Sequence, residues 1–380
     1  MKKTALVHSD AYAAFDYGPE HPLRMERLGL TWRLMQAYGL TSLPGTVVRE
    51  PPPADEDAIA AFHTREYIDI LKAADGGREP RGAALYGLGR GDNPVFPGVW
   101  RVAQLVAGGS LLAADLVGRG EVERAFHFAG GLHHAHAASA SGFCYVNDPV
   151  LAILRLKSYG LRVAYVDIDA HHGDGVQEAF YADPDVMTIS THERGDRLFP
   201  GTGFVGEAGE AGAVGYSVNL PLDAYTDSDV YLPAFEAVVP PLLASFRPDV
   251  IVAQLGIDAH RTDPLTHLAL DIQGFARAVQ RIVQLAPRVV ALGGGGYDLR
   301  NVARGWTLAW AIVNDVELPA EMPASFGADL ERYGFETPFL LDEPLRLPDE
   351  TRRRVNEYVS RQVSEVRRLI FPLHGLPPGG

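Results

Sequence analysis

Five short runs rich in apolar and β-branched residues constrain the fold more than any other feature of the chain: AFHFA (125–129), VAYVDID (163–169), VMTIS (186–190), VIVAQLG (250–256) and VVALGG (289–294). Runs of this kind read as strands buried on both faces, the habit of parallel sheets rather than half-solvated antiparallel ones. Longer patterns of helical period occupy 99–118, about 149–158, 174–182, 229–245, 271–286 and 299–313, several opened by Asp, Ser or Thr in capping position. Strand alternating with helix is the α/β signature. PPPAD at 51–55 reads as one turn before a helix at 55–61, and no low-complexity stretch is long enough for an interdomain linker. A single domain spanning 1–380 is therefore expected.

Two segments stand apart from the alternation. Residues 75–98 are rich in Gly and Pro without periodicity, and are expected to form a long functional loop. Near the C-terminus, about 349–370, Val355, Tyr358, Val359, Val363, Val366 and Leu369 recur at helical spacing, which predicts a helical extension docked on its own domain.

Charge and cysteine content narrow the function. With 34 Lys+Arg against 48 Asp+Glu the formal net charge is −14, which argues against a nucleic-acid partner. The one cysteine, Cys144, excludes an intramolecular disulfide and a cysteine zinc cage, so any metal must use His and carboxylates. Cys144 itself reads as a small buried hydrophobe. The N-terminus reaches His8, Ser9 and Asp10 before any apolar stretch long enough for export or membrane spanning, so a cytoplasmic protein with no membrane partner is expected.

Thirteen histidines are scattered along the chain, yet five fall in two clusters, GGLHHAH (130–136) and DIDAHHGDG (167–175), both just past apolar runs. The carboxyl ends of parallel strands are where ligands bind. In an extended strand Asp167, Asp169 and His171 follow period two and would project to one side. Asp258 ends the run VIVAQLG, again where a buried strand leaves the sheet and an unpaired acid is costly. Asp169, His171 and Asp258 thus make a set of two oxygens and one nitrogen. Three protein ligands leave a position open for water, as in catalytic zinc sites, and the same donors tolerate Fe(II) or Co(II). Asp167 and Asp174 are candidate orienters for His133 and His134, each fixing a tautomer and leaving the other ring nitrogen for proton transfer. GGGGY (293–297) follows VVAL, where glycine lets the backbone crowd a site, and a phenol at Tyr297 could donate to a developing oxyanion. A phosphate-cradling loop is the other reading of GGGG, but G-x-G-x-x-G fails at Asp298 and no Gly-Lys-Ser/Thr follows.

From about residue 5 to 315 the chain resembles the zinc-dependent histone deacetylases and their bacterial relatives, the acetoin-utilisation-type deacetylases and acetylpolyamine amidohydrolases. The resemblance is carried by GPEHPLRMERL (18–28), YGLG (86–89), GGLHHA (130–135), SGFCYVND (141–148), YVDIDAHHGDG (165–175), VMTIST (186–191), FPGTG (199–203), LGIDAHRTDP (255–264) and LGGGGY (292–297). The continuation HRTDPLTH after Asp258 is most similar to the acetoin-utilisation branch. The resemblance implies the arginase/deacetylase α/β fold, one parallel sheet of about eight strands between helices. It implies zinc on Asp169, His171 and Asp258, the tandem His133 and His134 backed by Asp167 and Asp174, and Tyr297 as the catalytic tyrosine.

Further roles come from the resemblance alone. Gly142, Phe143 and Phe199 match the walls of a narrow tunnel for the aliphatic stem of an acetylated amine, Leu265 matches a rim position, and Asp92 the rim aspartate that bonds substrate backbone. An Asx turn is the ordinary reading of Asp92, since Asp-Asn-Pro is turn chemistry. Arg27 matches an arginine near an internal acetate channel. Structural potassium is implied at Asp167, Asp169, His171, Ser190 and Thr191, and a second potassium at Phe180, Asp183, Val186 and Tyr216. The function implied is hydrolysis of an N-acetyl amide, on acetyl-lysine in proteins or on small acetylated amines such as polyamines. An arginase-like ureohydrolase needs a two-metal cluster, which two His–Asp pairs beside one ligand set fit less well. A non-catalytic acetyl-lysine binder would usually lose the water-activating or oxyanion group, and here both are present.

Overall fold

The computed structural model describes residues 3–89 and 91–378. Among them, β1 (Thr4–Val7), β2 (Thr46–Arg49), β3 (Arg124–His127), β4 (Val163–Asp167), β5 (Val186–Glu193), β6 (Ser217–Leu222), β7 (Val250–Gln254) and β8 (Val289–Leu292) form one sheet. The order is β2-β1-β3-β8-β7-β4-β5-β6, and every neighbouring pair is parallel. The helices are α1 (Glu26–Ala37), α2 (Glu56–Ile59), α3 (Arg65–Ala73), α4 (Val99–Gly118), α5 (Asp148–Ser158), α6 (Asp174–Phe180), α7 (Ser228–Phe246), α8 (Ile272–Gln284), α9 (Leu299–Val313), α10 (Gly327–Arg332) and α11 (Asp349–Leu369). None of the described helices is long and apolar enough to cross a membrane.

The strands read as continuous apolar runs because both faces of the sheet are covered. On β4, Val163 and Tyr165 join an apolar cluster with Val250, Val252, Val290 and Leu292; Ala164 and Val166 join a second one with Ile251, Ala253 and Ala291. Successive side chains of a strand point to opposite faces, so each face builds its own helix-covered layer. The capping acids behave as their positions predict: Asp227, Asp271 and Asp298 accept from the first-turn N–H groups of Val230, Gly274 and Arg300 at the starts of α7, α8 and α9.

Three strands lie outside the sequence prediction, each for a local reason. β1 and β2 are only four residues long. β6 reads SVNLPL, where Asn219 and Pro221 look like turn chemistry; Pro221 is tolerated because β6 is an edge strand. That edge is buried all the same, since α11 packs on both β6 and α7. The segment 75–98 contains a 3-10 turn (Ala83–Tyr86) and is closed by a bridge between Gly76 and Pro97. The run 163–169 is extended only to Asp167. There Asp167 Oδ1 accepts from Asp169 N–H at 3.0 Å and Asp169 Oδ1 from His171 N–H at 2.9 Å, successive Asx turns that pull the chain out of the strand.

Candidate active site

Because β4 and β7 are neighbours in the sheet, the loops leaving their carboxyl ends meet. The turns after β4 present Asp169 and His171, and the loop after β7 presents Asp258; one ligand atom from each lies within 4.8 Å of the others, and all three residues are buried. His171 Nδ1 is 2.8 Å from Asp258 Oδ2 and 3.1 Å from Asp169 Oδ1. The remaining carboxylate oxygens are held in place: Asp169 Oδ2 accepts from Gly295 N–H and Gln254 Nε2, each at 2.7 Å, and Asp258 Oδ1 from Ala170 N–H at 2.8 Å. Glycine is required where these loops close on the acids. A Cβ at Gly256 would lie 2.0 Å from Asp169 Oδ2, and one at Gly295 2.1 Å from Asp258 Oδ2.

The charge arrangement asks for a cation. Burial, then the neighbouring Asp169 carboxylate, raises the pKa of Asp258 to about 6. Burial opposes the charged form of His171 as well, but Asp258 and Asp169 outweigh it and push its pKa well up. Two buried carboxylates and an imidazole converging on one point are reconciled by a divalent ion, and the donor set of two oxygens and one nitrogen fits it.

Beside this cluster stand the two histidines. His133 Nδ1 bonds Asp167 Oδ2 at 2.8 Å and His134 Nδ1 bonds Asp174 Oδ1 at 2.7 Å, while the two Nε2 atoms face each other at 3.1 Å. Their environments push the pair apart. Burial disfavours the imidazolium of His133, but the charges of Asp167 and Asp169 outweigh it and raise its pKa to about 9. For His134 burial dominates, the positive His133 adds to it, and the pKa falls to about 4. Tyr165, on β4, donates its hydroxyl to Asp167 Oδ2 at 2.6 Å. Burial, with Asp258 and Asp169 nearby, holds the Tyr297 phenol well above its ordinary pKa, so it stays protonated.

Aromatic rings frame the approach. Phe199 sets its ring 4.9 Å from that of His134 and 6.4 Å from that of His171, edge to face; Phe143 lies 5.7 Å from Tyr297 in the same manner. Gly142 and Phe143 both have positive φ, 51° and 69°. A Cβ at Gly142 would meet His134 Cδ2 at 2.5 Å and Phe199 Cε1 at 2.8 Å, so glycine keeps the passage open. Asp92 is exposed, and its carbonyl accepts from His21 Nε2 at 3.2 Å, a ring that in turn packs 4.6 Å from Phe143. Leu265 is tied to the same rim through Asp263, whose carboxylate accepts from both Leu265 N–H and Tyr297 N–H. Between these groups lies a small cavity, about 10 Å³, lined by Leu23, His133, His134, Cys144, Asp169 and Tyr297 among others. Arg27, fully buried against the Trp306 ring, donates to the carbonyls of Gly294 and Gly296 at 2.9 and 3.1 Å.

Of the residues named for potassium, Asp167, Asp169 and His171 follow one another along the end of β4, and Ser190 is the register partner of Asp167 on β5, where the Thr191 hydroxyl donates to the Asp167 carbonyl. Phe180, Asp183 and Val186 share one turn between α6 and β5, Tyr216 joins it through Thr188, and the Lys157 ammonium bonds the Asp183 carboxylate. Sequence reasoning passed over Gln254, Tyr165 and Asp263. Gln254 had a signal, as the polar residue inside VIVAQLG; Tyr165 and Asp263 had none short of their partners' positions.

A cation site at the carboxyl edge of a parallel sheet, with an acid/base pair of split pKa beside it, defines a metal-dependent hydrolase of the α/β class. Comparison with known proteins makes this specific. The histone deacetylase domain model matches residues 21–313. The chain is 41% identical over 331 residues to the acetoin utilization protein AcuC of Bacillus subtilis, covering 85% of each. It is 42% identical over 309 residues to histone deacetylase B of Dictyostelium discoideum, covering 81% of this chain and 72% of that one. Human histone deacetylase 1 is 38% identical over 338 residues, 87% of this chain and 69% of that one. Among solved structures, a histone deacetylase homologue from Aquifex aeolicus superposes with a TM-score of 0.86 at 31% identity, covering 96% of this chain and all of that one. The same values hold for a histone deacetylase homologue complexed with SAHA. The chain belongs to the histone deacetylase family, whose members are deacetylase hydrolases with a zinc requirement.

Proposed function

We propose that this protein removes acetyl groups from N-acetylated amines, with acetyl-lysine in proteins as the substrate. The observation that carries the reading is the aromatic-walled passage of Phe143 and Phe199 leading to His134, His171 and Tyr297, which suits an unbranched aliphatic stem ending in a small amide. Asp169, His171 and Asp258 would hold the ion, Zn2+ or alternatively Fe2+, which when bound supplies Lewis acidity toward a water and a carbonyl. His134, kept neutral by burial, accepts the proton of the attacking water at Nε2 while Asp174 fixes its tautomer through Nδ1. His133, positive through Asp167, stabilises the negative charge that develops beside it. The protonated Tyr297 hydroxyl donates to the oxyanion, and His134 returns its proton to the leaving amine.

Gly142, Phe143, Phe199 and Leu265 would bound the stem, Asp92 would accept from substrate backbone N–H groups, and Arg27 would serve an acetate channel. Potassium at the β4–β5 strand ends and at the turn before β5 would be structural. The packing of α11 on β6 and α7 supports a single domain. The similarity to AcuC supports a cytoplasmic setting in a bacterial-type enzyme. The test compares the zinc-loaded protein on an acetyl-lysine peptide and on acetylated spermidine or putrescine. Faster turnover of the peptide is expected; preference for the small amine would replace the substrate assignment, and no hydrolysis of either would overturn it.

A further inference from the structure

His136 has no part in the scheme above, yet it completes a line of side chains that ends on the acid/base pair. His134 Nδ1 meets Asp174 Oδ1 at 2.7 Å; the second oxygen of Asp174 lies 3.5 Å from His136 Nε2, and His136 Nδ1 bonds Glu178 Oε2. Asp174 therefore stands between two imidazoles. Exposure rises along the line, from 12% at the Asp174 side chain to 31% at His136 and 62% at Glu178, so it runs from the reaction site to solvent. Both acids come from α6, four residues apart and hence on one face. The His136 backbone is pinned by its own bridge to Ser139, with the N–H donating to the Ser139 carbonyl at 2.9 Å. A carboxylate bonded through one oxygen can still turn about its Cβ–Cγ bond; a second contact on the other oxygen removes that freedom.

We propose that His136 is the positioning residue for His134: it engages Asp174 Oδ2, fixes the carboxylate plane, and so keeps His134 Nδ1 bonded and Nε2 aimed at the reacting water. The inference rests on the acetamide-hydrolysis reading. Hydrolysis takes one proton from water and returns it to the amine, both through His134 Nε2, so His136 supplies no proton and acts through geometry. The charged groups facing it are Asp174 and Glu178 of α6; His63, between α2 and α3, lies against the backbone of 136 and 137 and accepts from Asn147 N–H at 2.9 Å. The Asp174 contact, opposed by burial and reinforced by Glu178, raises the His136 pKa to about 9. The charged contact is thus complete at neutral pH and is lost as pH rises through about 9.

The experiment uses the zinc-loaded full chain as parent, His136→Ala and His136→Gln. It measures kcat and KM on an acetyl-lysine peptide from roughly pH 6 to 10, zinc content, and the nitrogen-15 imidazole signals of His134, which report its tautomer without turnover. His136→Ala is expected to lose roughly 10-fold to 100-fold in kcat at unchanged KM and zinc content, with His134 no longer in a single tautomer. His136→Gln can donate to Asp174 but cannot ionise, so it should restore the tautomer and most of kcat while lacking the parental decline near pH 9. Parental kcat and spectrum in His136→Ala, a kcat loss with the His134 signals unmoved, or failure of Gln to rescue would each overturn the proposal. If the parent hydrolyses no acetamide, it is the parent reading that fails, and the His134 spectra still decide the positioning role.

Discussion

Replacing Gly142 by Ala tests the passage with a single methyl group. At φ 51° an L side chain is strained, a cost of about 1 kcal/mol in folding. The larger effect is steric: the new Cβ would lie 2.5 Å from His134 Cδ2 and 2.8 Å from Phe199 Cε1, so each must retreat by about 1 Å to reach ordinary carbon contact. The two neighbours differ in how they can give way. Phe199 is 42% exposed and can swing outward, whereas the His134 ring is held through Nδ1 by Asp174 and faces His133 at Nε2. Misplacing a proton-transfer group by about 1 Å costs roughly 10²-fold in rate. Gly142→Ala should therefore lose roughly two orders of magnitude in kcat/KM on an acetyl-lysine peptide while keeping its metal, since no ligand is touched. The assay is steady-state deacetylation with parallel elemental analysis and denaturant unfolding. Gly206→Ala, where a Cβ meets nothing within 4 Å, is the control and should match the parent. Parental kinetics in Gly142→Ala would refute both the passage and the pinning of His134.

Tyr297→Phe removes one hydroxyl at constant shape, so kcat should fall by roughly 10²–10³ with zinc content unchanged; a mutant keeping most of its kcat would remove the oxyanion role. Asp258→Ala takes one of three ligands and should lose the metal by elemental analysis; a variant that retains stoichiometric metal refutes the ligand set. Burial lowers the pKa of His63 and His172 to about 4 and of His127 to about 3, so the folded state binds fewer protons than the unfolded one between those values and 6.5. Stability from each is complete above pH 6.5 and lost at about 1.4 kcal/mol per pH unit below it, so denaturant midpoints should fall steeply from pH 6.5 to 5, and flat midpoints would contradict the neutral burial of these rings. Asp92→Ala should lower kcat/KM on acetyl-peptides more than on acetylated putrescine and independently of salt; equal, salt-sensitive losses would show a general field effect in place of backbone recognition.

The inner strands were legible because a strand covered on both faces must be apolar at every position, and such runs stand out in any window. The two edge strands escaped for the converse reason: TVVR of β2 is partly exposed, and β6 carries Asn219 and Pro221. β1, TALV, is an inner strand buried at every position and was missed all the same. The helix at 349–369 was visible from its stripe, but what it covers was not. Its apolar face closes the β6 edge, and Arg354 bonds Asp223 in the turn that follows β6.

The acids and histidines of the site were found because charge at the end of a buried strand is anomalous on its own, whatever it later binds. What escaped was how they are held. The period-two reading put Asp167, Asp169 and His171 on one side of an extended strand; the strand instead ends at Asp167, which bonds His133, and the turns after it bring Asp169 and His171 to Asp258. Gln254 shows the same limit from the other direction. One amide bridges Asp169 and the Gly131 carbonyl, joining the end of β7 to the turns after β4 and to the segment that carries both histidines, and nothing along the sequence links residues 131, 169 and 254. Residue types declare the chemistry because ionisable groups are costly to bury, whereas the orientation of those groups is set by hydrogen bonds between loops that only the closed sheet brings together.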